Sequence, residues 1–192
     1  MGLFFAATDQ FDITVIVHGG HAANPQENVD PIIAASQMVV TLQTVVSRNA
    51  DPIQQLVISI TLIETSSKAY NVVPSLAHLR GTIRKLTTDM CALAKRRLLE
   101  VAENTAAVFG TSVDVRYHAG YPVKHPVETD HATSVACAIS GQCDEAPQVT
   151  GGEDFAYMLK ERPGPIFPWA MVTAQWFITQ NLILMMRRFR LV

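Results

Sequence analysis

The chain has 192 residues, of which 48% are hydrophobic and 17% are charged, so it carries enough apolar side chains to bury a core. Its net charge of −2 excludes the strongly basic surface that nucleic-acid binding requires. Its three cysteines have no C-x-x-C spacing, so we expect neither a disulfide framework nor a structural zinc site, and we predict a cytoplasmic location.

The first elements predicted along the chain are a strand and a helix. Residues 11–17 alternate apolar and polar side chains, which is typical of a half-buried strand, and the run leads into two glycines. Asp30 and Pro31 are the residue types favoured at an N-cap and at the first helical position. They predict a helix that runs to about Arg48.

Two strands, a second helix and a fourth strand follow. Residues 55–64 are rich in β-branched side chains and predict a strand, with residues 76–86 as its hairpin partner. One face of the strand at residues 55–64 is predicted to carry Leu56, Ile58, Ile60 and Leu62. A helix over residues 90–109 is expected to end at Gly110 in the left-handed conformation, before a strand at residues 112–117.

The element order β-α-β-β-α-β predicts an α+β, ferredoxin-like fold, in which two helices cover one face of a four-stranded antiparallel sheet. In this topology the strand at residues 55–64 lies at an edge of the sheet. Few charges and no proline interrupt that strand, although edge strands usually carry such residues to prevent pairing. We therefore expect it to pair with a second copy of the chain in a homodimer.

The pattern changes after residue 118. Residues 128–139 predict a helix, and Gly151 to Asp154 form a loop that leads into a short helix. This part of the chain predicts a piece of a separate α/β domain.

The six histidines do not form a recognisable metal motif. No H-x-x-x-H or H-x-D pair falls on a regular element, so no complete metal site is predicted in this chain. His21 differs from the others because Gly19 and Gly20 allow a close approach of the backbone while Pro25 stiffens the loop, which favours an outward-facing ring. A turn histidine that caps the following helix is the alternative.

Four polar residues are further candidates. Arg84 lies on a predicted strand, where a guanidinium can bind a carboxylate in bidentate fashion or simply be exposed to solvent, and Asn71 lies just before that strand. Glu153 and its neighbour Asp154 are either an acid/base pair or acids at a helix N-terminus.

Several spaced motifs together resemble one enzyme family. They are GGHAANP at residues 19–25, VDP at 29–31, TVVSR at 44–48, YNVVP at 70–74, GTIR at 81–84 and GEDF at 152–155. In this order, over residues 2–163, they are similar to the amidohydrolase branch of the dinuclear zinc aminoacylase and carboxypeptidase family. Hippurate hydrolases and the hydrolases of indole-acetyl amino acids belong to that branch.

The resemblance implies a domain division and a set of roles. Residues 1–10 would end a linker from a catalytic domain, residues 11–118 would form a lid or dimerisation domain, and residues 119–163 would return to the catalytic domain. His21 would stabilise the oxyanion at the active site of the partner subunit, and Asn71 with Arg84 would bind the carboxylate of an N-acyl amino acid. Gly152 and Glu153 would line the pocket.

The resemblance also implies two divalent metal ions, zinc, manganese or cobalt, that activate a water molecule. The family's H-x-C-G-H-D motif and its Glu-Glu pair do not occur in this chain, and no histidine follows His131. We therefore expect the chain to bind no metal alone, to be a fragment, and to be inactive by itself.

Residues 164–192 do not follow the family pattern. Read one base earlier, codons for the residues around Trp169 are compatible with the family's Leu-Gly-Asn-Gly-Asp, which suggests a frameshift near residues 163–165. The alternative for residues 176–192 is an amphipathic membrane anchor. No stretch of the chain reaches the length of a membrane span, so we expect no membrane partner.

Two other hypotheses about function stay open. The chain could be a stand-alone ferredoxin-like module for dimerisation or small-molecule binding, because the fold alone does not decide function. It could also be the product of a degraded gene that folds poorly.

Overall fold

The structure is a computed structural model that describes residues 5–121, 134–135, 137–138 and 148–162. Most of the helix predicted at residues 128–139 lies outside the described residues, and the four described positions within it are helical. The predicted frameshifted tail at residues 164–192, with its alternative as a membrane anchor, also lies outside them.

The described elements, in chain order, are β1 (Ala7–Ile16), β2 (Gly20–His21), α1 (Pro31–Thr44), β3 (Leu56–Thr65), β4 (Val72–Val73), β5 (Leu76–Lys85), α2 (Thr88–Val108), β6 (Ser112–Ala119) and α3 (Phe155–Glu161). A 3₁₀ turn at Pro25–Glu27 precedes α1, and a π-helical turn at Val45–Asn49 follows it.

Four of the strands form one antiparallel sheet in the order β3-β5-β1-β6. Helix α1 packs over the β3 side of one face and α2 over the β6 side of the same face. This arrangement confirms the predicted α+β fold, and β3 lies at an edge of the sheet as expected.

The core lies between the two helices and the sheet. Side chains alternate between the two faces of a strand, so every second residue of β1 and β5 points toward the helices. The helix-facing residues of β1, β3 and β5 include Phe11, Ile13, Val15, Leu56, Ile58, Ala77, Leu79 and Ile83. The helices contribute Ala34, Met38, Leu42, Ala94, Leu98 and Ala102.

Local sequence explains where the helices begin and end. The Asp30 side chain accepts a hydrogen bond of 2.8 Å from the Ile32 N–H, as an N-cap does, and Thr87 caps α2 in the same way. Gly110 has φ of 64°, and the N–H groups of Gly110 and Thr111 donate to the Ala107 and Ala106 carbonyls. This is a Schellman ending, as the glycine predicted.

The structure corrects two details of the strands. β1 begins at Ala7, four residues before the predicted start, because the register of β1 with β5 extends to Lys85. Leu62 does not share a face with Ile58 and Ile60, since a bulge after Ile60 places Leu62 opposite Arg80, on the face away from the helices.

Two expectations from composition concerned disulfides and membrane-spanning segments. Cys91 is free, whereas Cys137 is disulfide-bonded, so a disulfide is present although no disulfide framework was expected. None of the helices in the described ranges has the length and apolar character needed to cross a membrane.

The packing of Gly81 generates a stability prediction. A Cβ at this position would overlap the ring of Phe11 and lie 2.5 Å from the Ser59 carbonyl oxygen. We expect Gly81→Ala to lower the free energy of unfolding by about 2–3 kcal/mol through overpacking, measured by urea denaturation. Gly110→Ala is the control, because its site is sterically open and only its positive φ costs energy, about 1 kcal/mol. A smaller loss for Gly81→Ala than for Gly110→Ala would contradict this account.

Candidate functional site

The pairing of β1 with β5 continues past both strands and brings the His21 and Asn71 loops together. The Val17 N–H donates to the Ser75 carbonyl at 3.0 Å, and β2 then pairs with β4, with His21 opposite Val72. One residue further, the Ala22 N–H donates to the Asn71 carbonyl at 3.0 Å. His21 and Asn71 are therefore neighbours at one end of the ladder, and both are exposed.

Gly19 permits this approach. A Cβ on Gly19 would lie 2.5 Å from the Val73 carbonyl oxygen and 2.8 Å from the Pro74 carbonyl carbon. These are backbone atoms of the facing strand, which cannot move aside without breaking the pairing. The glycine therefore provides the close backbone approach that the sequence predicted.

The His21 ring has a defined hydrogen-bonding state. The Ala23 N–H donates to His21 Nδ1 at 3.1 Å, so Nδ1 carries the lone pair and the neutral ring carries its proton on Nε2. Asn28 stabilises the loop by donating to the carbonyls of Asn24 and His21 at 2.8 and 3.3 Å. The ring therefore accepts from an N–H of its own turn and does not cap the following helix, because the N-cap of α1 is Asp30. In this tautomer its Nε2–H is left as a donor.

Arg84 and Gly152 meet at the other end of the sheet. Arg84 lies on β5 opposite Thr8 of β1, and its Nη1 donates to Thr8 Oγ1 at 2.6 Å. A Cβ on Gly152 would overlap Thr8 Oγ1 and lie 3.2 Å from Arg84 Nη1. The structure therefore brings these two predicted site residues together.

Glu153 and Asp154 stand at the beginning of α3. The carbonyl of Glu153 accepts from the Ala156 N–H at 3.2 Å, and its side chain is half-buried. Asp154 occupies the N-cap position but makes no capping hydrogen bond with its side chain. Both acids thus lie at a helix N-terminus, next to Gly152.

Arg84 and Asn71 are far apart within one chain. Arg84 lies eight residues along β5 from Leu76, or about 26 Å at 3.3 Å per residue, and Asn71 lies beyond Leu76. The chain by itself does not bring the two predicted carboxylate ligands together.

A buried polar cluster that the sequence analysis did not identify lies beside Arg84, on the helix-covered face. Lys85 is buried and contacts the Asp9 carboxylate, which also accepts hydrogen bonds from the Tyr117 hydroxyl and from the Gly120 N–H. Burial and then the bond to Asp9 raise the pKa of Tyr117. The cluster joins β1, β5 and β6 at the end of the sheet where Arg84 lies.

A second polar cluster occupies the sheet face away from the helices. Asp12 accepts a hydrogen bond of 2.8 Å from Arg80 Nε and lies 3.2 and 3.4 Å from the Nε2 atoms of His78 and His118. Burial raises the pKa of Asp12, but the hydrogen bond and charge of Arg80 and the two histidines outweigh it and lower the pKa. These residues come from three strands, so their meeting depends on register and has no local signal in the sequence.

The part of the chain that the structure describes contains no set of metal ligands. No group of three or more His, Cys, Asp or Glu side chains is arranged there in a way that could hold a metal ion. The two-metal centre that the resemblance implies therefore does not fit these residues.

Among the described residues, the sheet presents the exposed His21 and Asn71 loops at one end and the outer edge of β3 on one side. The family model of the peptidase dimerisation domain matches residues 8–108, more than half of the chain. The chain therefore belongs to the peptidase dimerisation domain family, which confirms the resemblance.

Relatives and solved structures agree with this membership. The N-acetyl-L-cysteine deacetylase of Bacillus subtilis is 36% identical over 169 residues, which cover 85% of this chain and 39% of that protein. The N-acetyldiaminopimelate deacetylase of Limosilactobacillus fermentum is 36% identical and covers 87% of this chain and 44% of its own length. A dinuclear metal-binding peptidase from Bacillus subtilis has a similar structure, with a TM-score of 0.67 and 29% identity, covering 85% of this chain and 40% of that one. The chain thus spans less than half the length of these relatives.

The close contact at Gly19 yields a prediction about the His21 loop. We expect Gly19→Ala to separate β2 from β4, so the Ala22 amide, which donates to Asn71, should exchange its hydrogen at least tenfold faster in NMR-detected exchange. His21→Ala is the matched control, because it removes the bond that Ala23 donates to the ring but adds no atom between the backbones that carry the Ala22–Asn71 bond. Equal exchange in the two variants would contradict the steric role of Gly19.

Proposed function

We propose that this chain is the lid-bearing part of a metal-dependent amidohydrolase that converts an N-acyl amino acid, hippurate-like in its acyl group, into a carboxylic acid and an amino acid. The observation that carries the proposal is the position of the exposed His21 side chain beside exposed Asn71, at the end of the β1–β5 ladder, where the Ala22 N–H donates to the Asn71 carbonyl. Deacetylase relatives and membership of the dimerisation domain family support it.

In this proposal His21 stabilises developing negative charge. Its Nε2–H donates to the oxygen of the scissile amide carbonyl, and the bond strengthens as that oxygen becomes an oxyanion. The contact from Ala23 to Nδ1 keeps the proton on Nε2 before the substrate arrives. The ring is therefore oriented so that its Nε2–H can donate without rearrangement.

Arg84 supplies the second contact, to the substrate carboxylate. A guanidinium matches a carboxylate with two parallel N–H donors, and Arg84 is half-buried, which strengthens the interaction relative to a fully exposed pair. Gly152 and Glu153 line the same pocket. Asn71 is proposed to assist in carboxylate binding from the His21 end.

The separation of the two ends implies a site shared between subunits. A small N-acyl amino acid cannot bridge about 26 Å, so it contacts both His21 and Arg84 only if they belong to different copies of the chain. We propose that His21 and Asn71 act in trans, at the active site of the partner, while Arg84 acts on the side of residues 119–163. Residues 1–10 then link to a catalytic domain, residues 11–118 form the lid, and residues 164–192 lie beyond both.

The homodimer is proposed to form through β3 and the neighbouring surface of α1. β3 has an unpaired edge, and α1 exposes the apolar side chains of Ile33 and Val40 at 56% and 63%. Both features lie on the same side of the sheet, since α1 packs over β3. Their burial in a dimer would pair the free backbone groups of the edge and remove apolar surface from water.

The dimer proposal predicts a change in oligomeric state. Ile33→Glu combined with Val40→Glu should convert the dimer to monomer in analytical ultracentrifugation, because charges would be buried in the interface. Val108→Glu is the control, since Val108 is also exposed, at 79%, but lies on α2. Ile58 is unsuitable for this test because it is buried in the core. A double variant that stays dimeric while Val108→Glu dissociates would contradict the interface.

Carboxylate binding is predicted to depend on Arg84. Arg84→Met should weaken binding of N-acetyl-L-alanine to the full chain at least tenfold in an NMR titration, because a charge-assisted hydrogen-bond pair is lost. Arg80→Met is the matched control: Arg80 lies on the same strand and the same face but is paired with Asp12. A dimer that binds no carboxylate would favour the stand-alone dimerisation module instead.

Hydrolysis by the chain alone is not expected, and we assign no reaction step to a metal ion. The purified chain with added zinc, manganese or cobalt should release no glycine from hippurate, measured by amine detection. Chelator-sensitive turnover would contradict this expectation.

A further inference from the structure

Thr8 is a rigid neighbour of the Arg84 guanidinium. Its side chain is buried, with 6% of the residue exposed, and its backbone N–H donates to the Tyr121 carbonyl at 3.0 Å. It lies directly opposite Arg84 in the β1–β5 register. A β-branched threonine on a paired strand has little rotational freedom, so its hydroxyl is a fixed acceptor.

The contact restrains a side chain that is otherwise mobile. An arginine side chain loses substantial rotamer entropy when it is ordered by a ligand, and a hydrogen bond made beforehand removes part of that loss. Arg84 Nη1 donates to Thr8 Oγ1 at 2.6 Å. Within the part of the chain that the structure describes, the guanidinium makes no other hydrogen bond. Its Nε and Nη2 donors therefore remain available to a ligand.

Gly152 supplies the space for this contact. A Cβ at residue 152 would overlap Thr8 Oγ1, contact Tyr121 Cδ2 at 2.7 Å and lie 3.2 Å from Arg84 Nη1. Gly151, the adjacent residue, would place a Cβ no nearer than 4.0 Å from its closest neighbour, Phe5 Cδ1. Of these two glycines, Gly152 is therefore the one at which a side chain would not fit.

We propose that Thr8 is a positioning residue for substrate binding: it holds the Arg84 guanidinium in the orientation that receives the substrate carboxylate, and Gly152 keeps the space for that contact open. The inference rests on the proposed function in that it takes Arg84 as the carboxylate ligand. Thr8 acts through Arg84 and does not touch the substrate.

The test compares Thr8→Val with Thr8→Ser in the full chain. Valine has the shape of threonine without the hydroxyl, whereas serine keeps the hydroxyl. We expect Thr8→Val to bind N-acetyl-L-alanine about five- to tenfold more weakly, as for the net loss of one ordinary hydrogen bond, and Thr8→Ser to bind within about twofold of the natural chain. Binding of N-acetyl-L-alaninamide, which lacks the carboxylate, should not change.

A second readout requires no ligand. Rotation of the Arg84 guanidinium about its Nε–Cζ bond is measured by NMR on the ¹⁵N-labelled chain, with the signal assigned by its loss in Arg84→Lys. Thr8→Val should accelerate this rotation about fivefold and Thr8→Ser should not. Thermal unfolding of each variant shows that it is folded.

Gly152→Ala and Gly151→Ala compare a position that has no space for a Cβ with a neighbouring position that has space. Gly152→Ala should reproduce both effects of Thr8→Val, and Gly151→Ala should resemble the natural chain in both.

The outcomes separate the inference from the proposed function. The positioning role is overturned if Thr8→Val leaves either the rotation rate or carboxylate binding unchanged, or if Thr8→Ser binds as weakly as Thr8→Val. If Arg84→Met still binds N-acetyl-L-alanine more weakly in that case, Arg84 remains the carboxylate ligand. Arg84→Met that binds N-acetyl-L-alanine normally overturns the carboxylate role and the inference with it. Equal losses for the carboxylate and the amide would show a structural effect and also overturn the inference.

Discussion

The antiparallel pairing of β1 with β5 is the constraint on which the rest of the structure depends. It begins at Ala7 and Lys85, passes through the centre of the sheet, and continues beyond the strands to the Ala22–Asn71 hydrogen bond. One ladder thus carries Arg84, in contact with Thr8, at one end and the His21 loop at the other. A slip of one residue would exchange the two faces of β1, burying polar side chains under the helices.

Both faces of the β1–β5 ladder carry polar contacts in addition to the core. Under the helices, the Asp9–Lys85 pair is buried next to Arg84 and connects β1 and β5 with Tyr117 of β6. A buried ion pair costs desolvation energy, and the hydrogen bonds that Asp9 accepts from Tyr117 and Gly120 offset part of it; those bonds require one register. On the face away from the helices, Thr8 and Arg84 are in contact because the same register places them opposite each other.

Local patterns predicted the elements well. The Asp30–Pro31 cap, the Gly110 ending and the alternation in β1 each depend on neighbouring residues, and the structure confirms them. The position of Leu62 was predicted wrongly because a bulge is set by the partner strand and leaves no local signal. The start of β1 was missed for the same reason, since its first residues gain their strand conformation from β5.

For the candidate site, the amino-acid sequence by itself determined that His21 lies in a glycine-opened loop, that the chain forms an α+β sandwich, and that it resembles the family to which it belongs. These features depend on residue types a few positions apart. The tertiary structure alone decided which residues meet: His21 with Asn71, and Arg84 with Thr8 and Gly152. Contacts between residues 50 or more positions apart depend on strand register and packing, which no local pattern specifies.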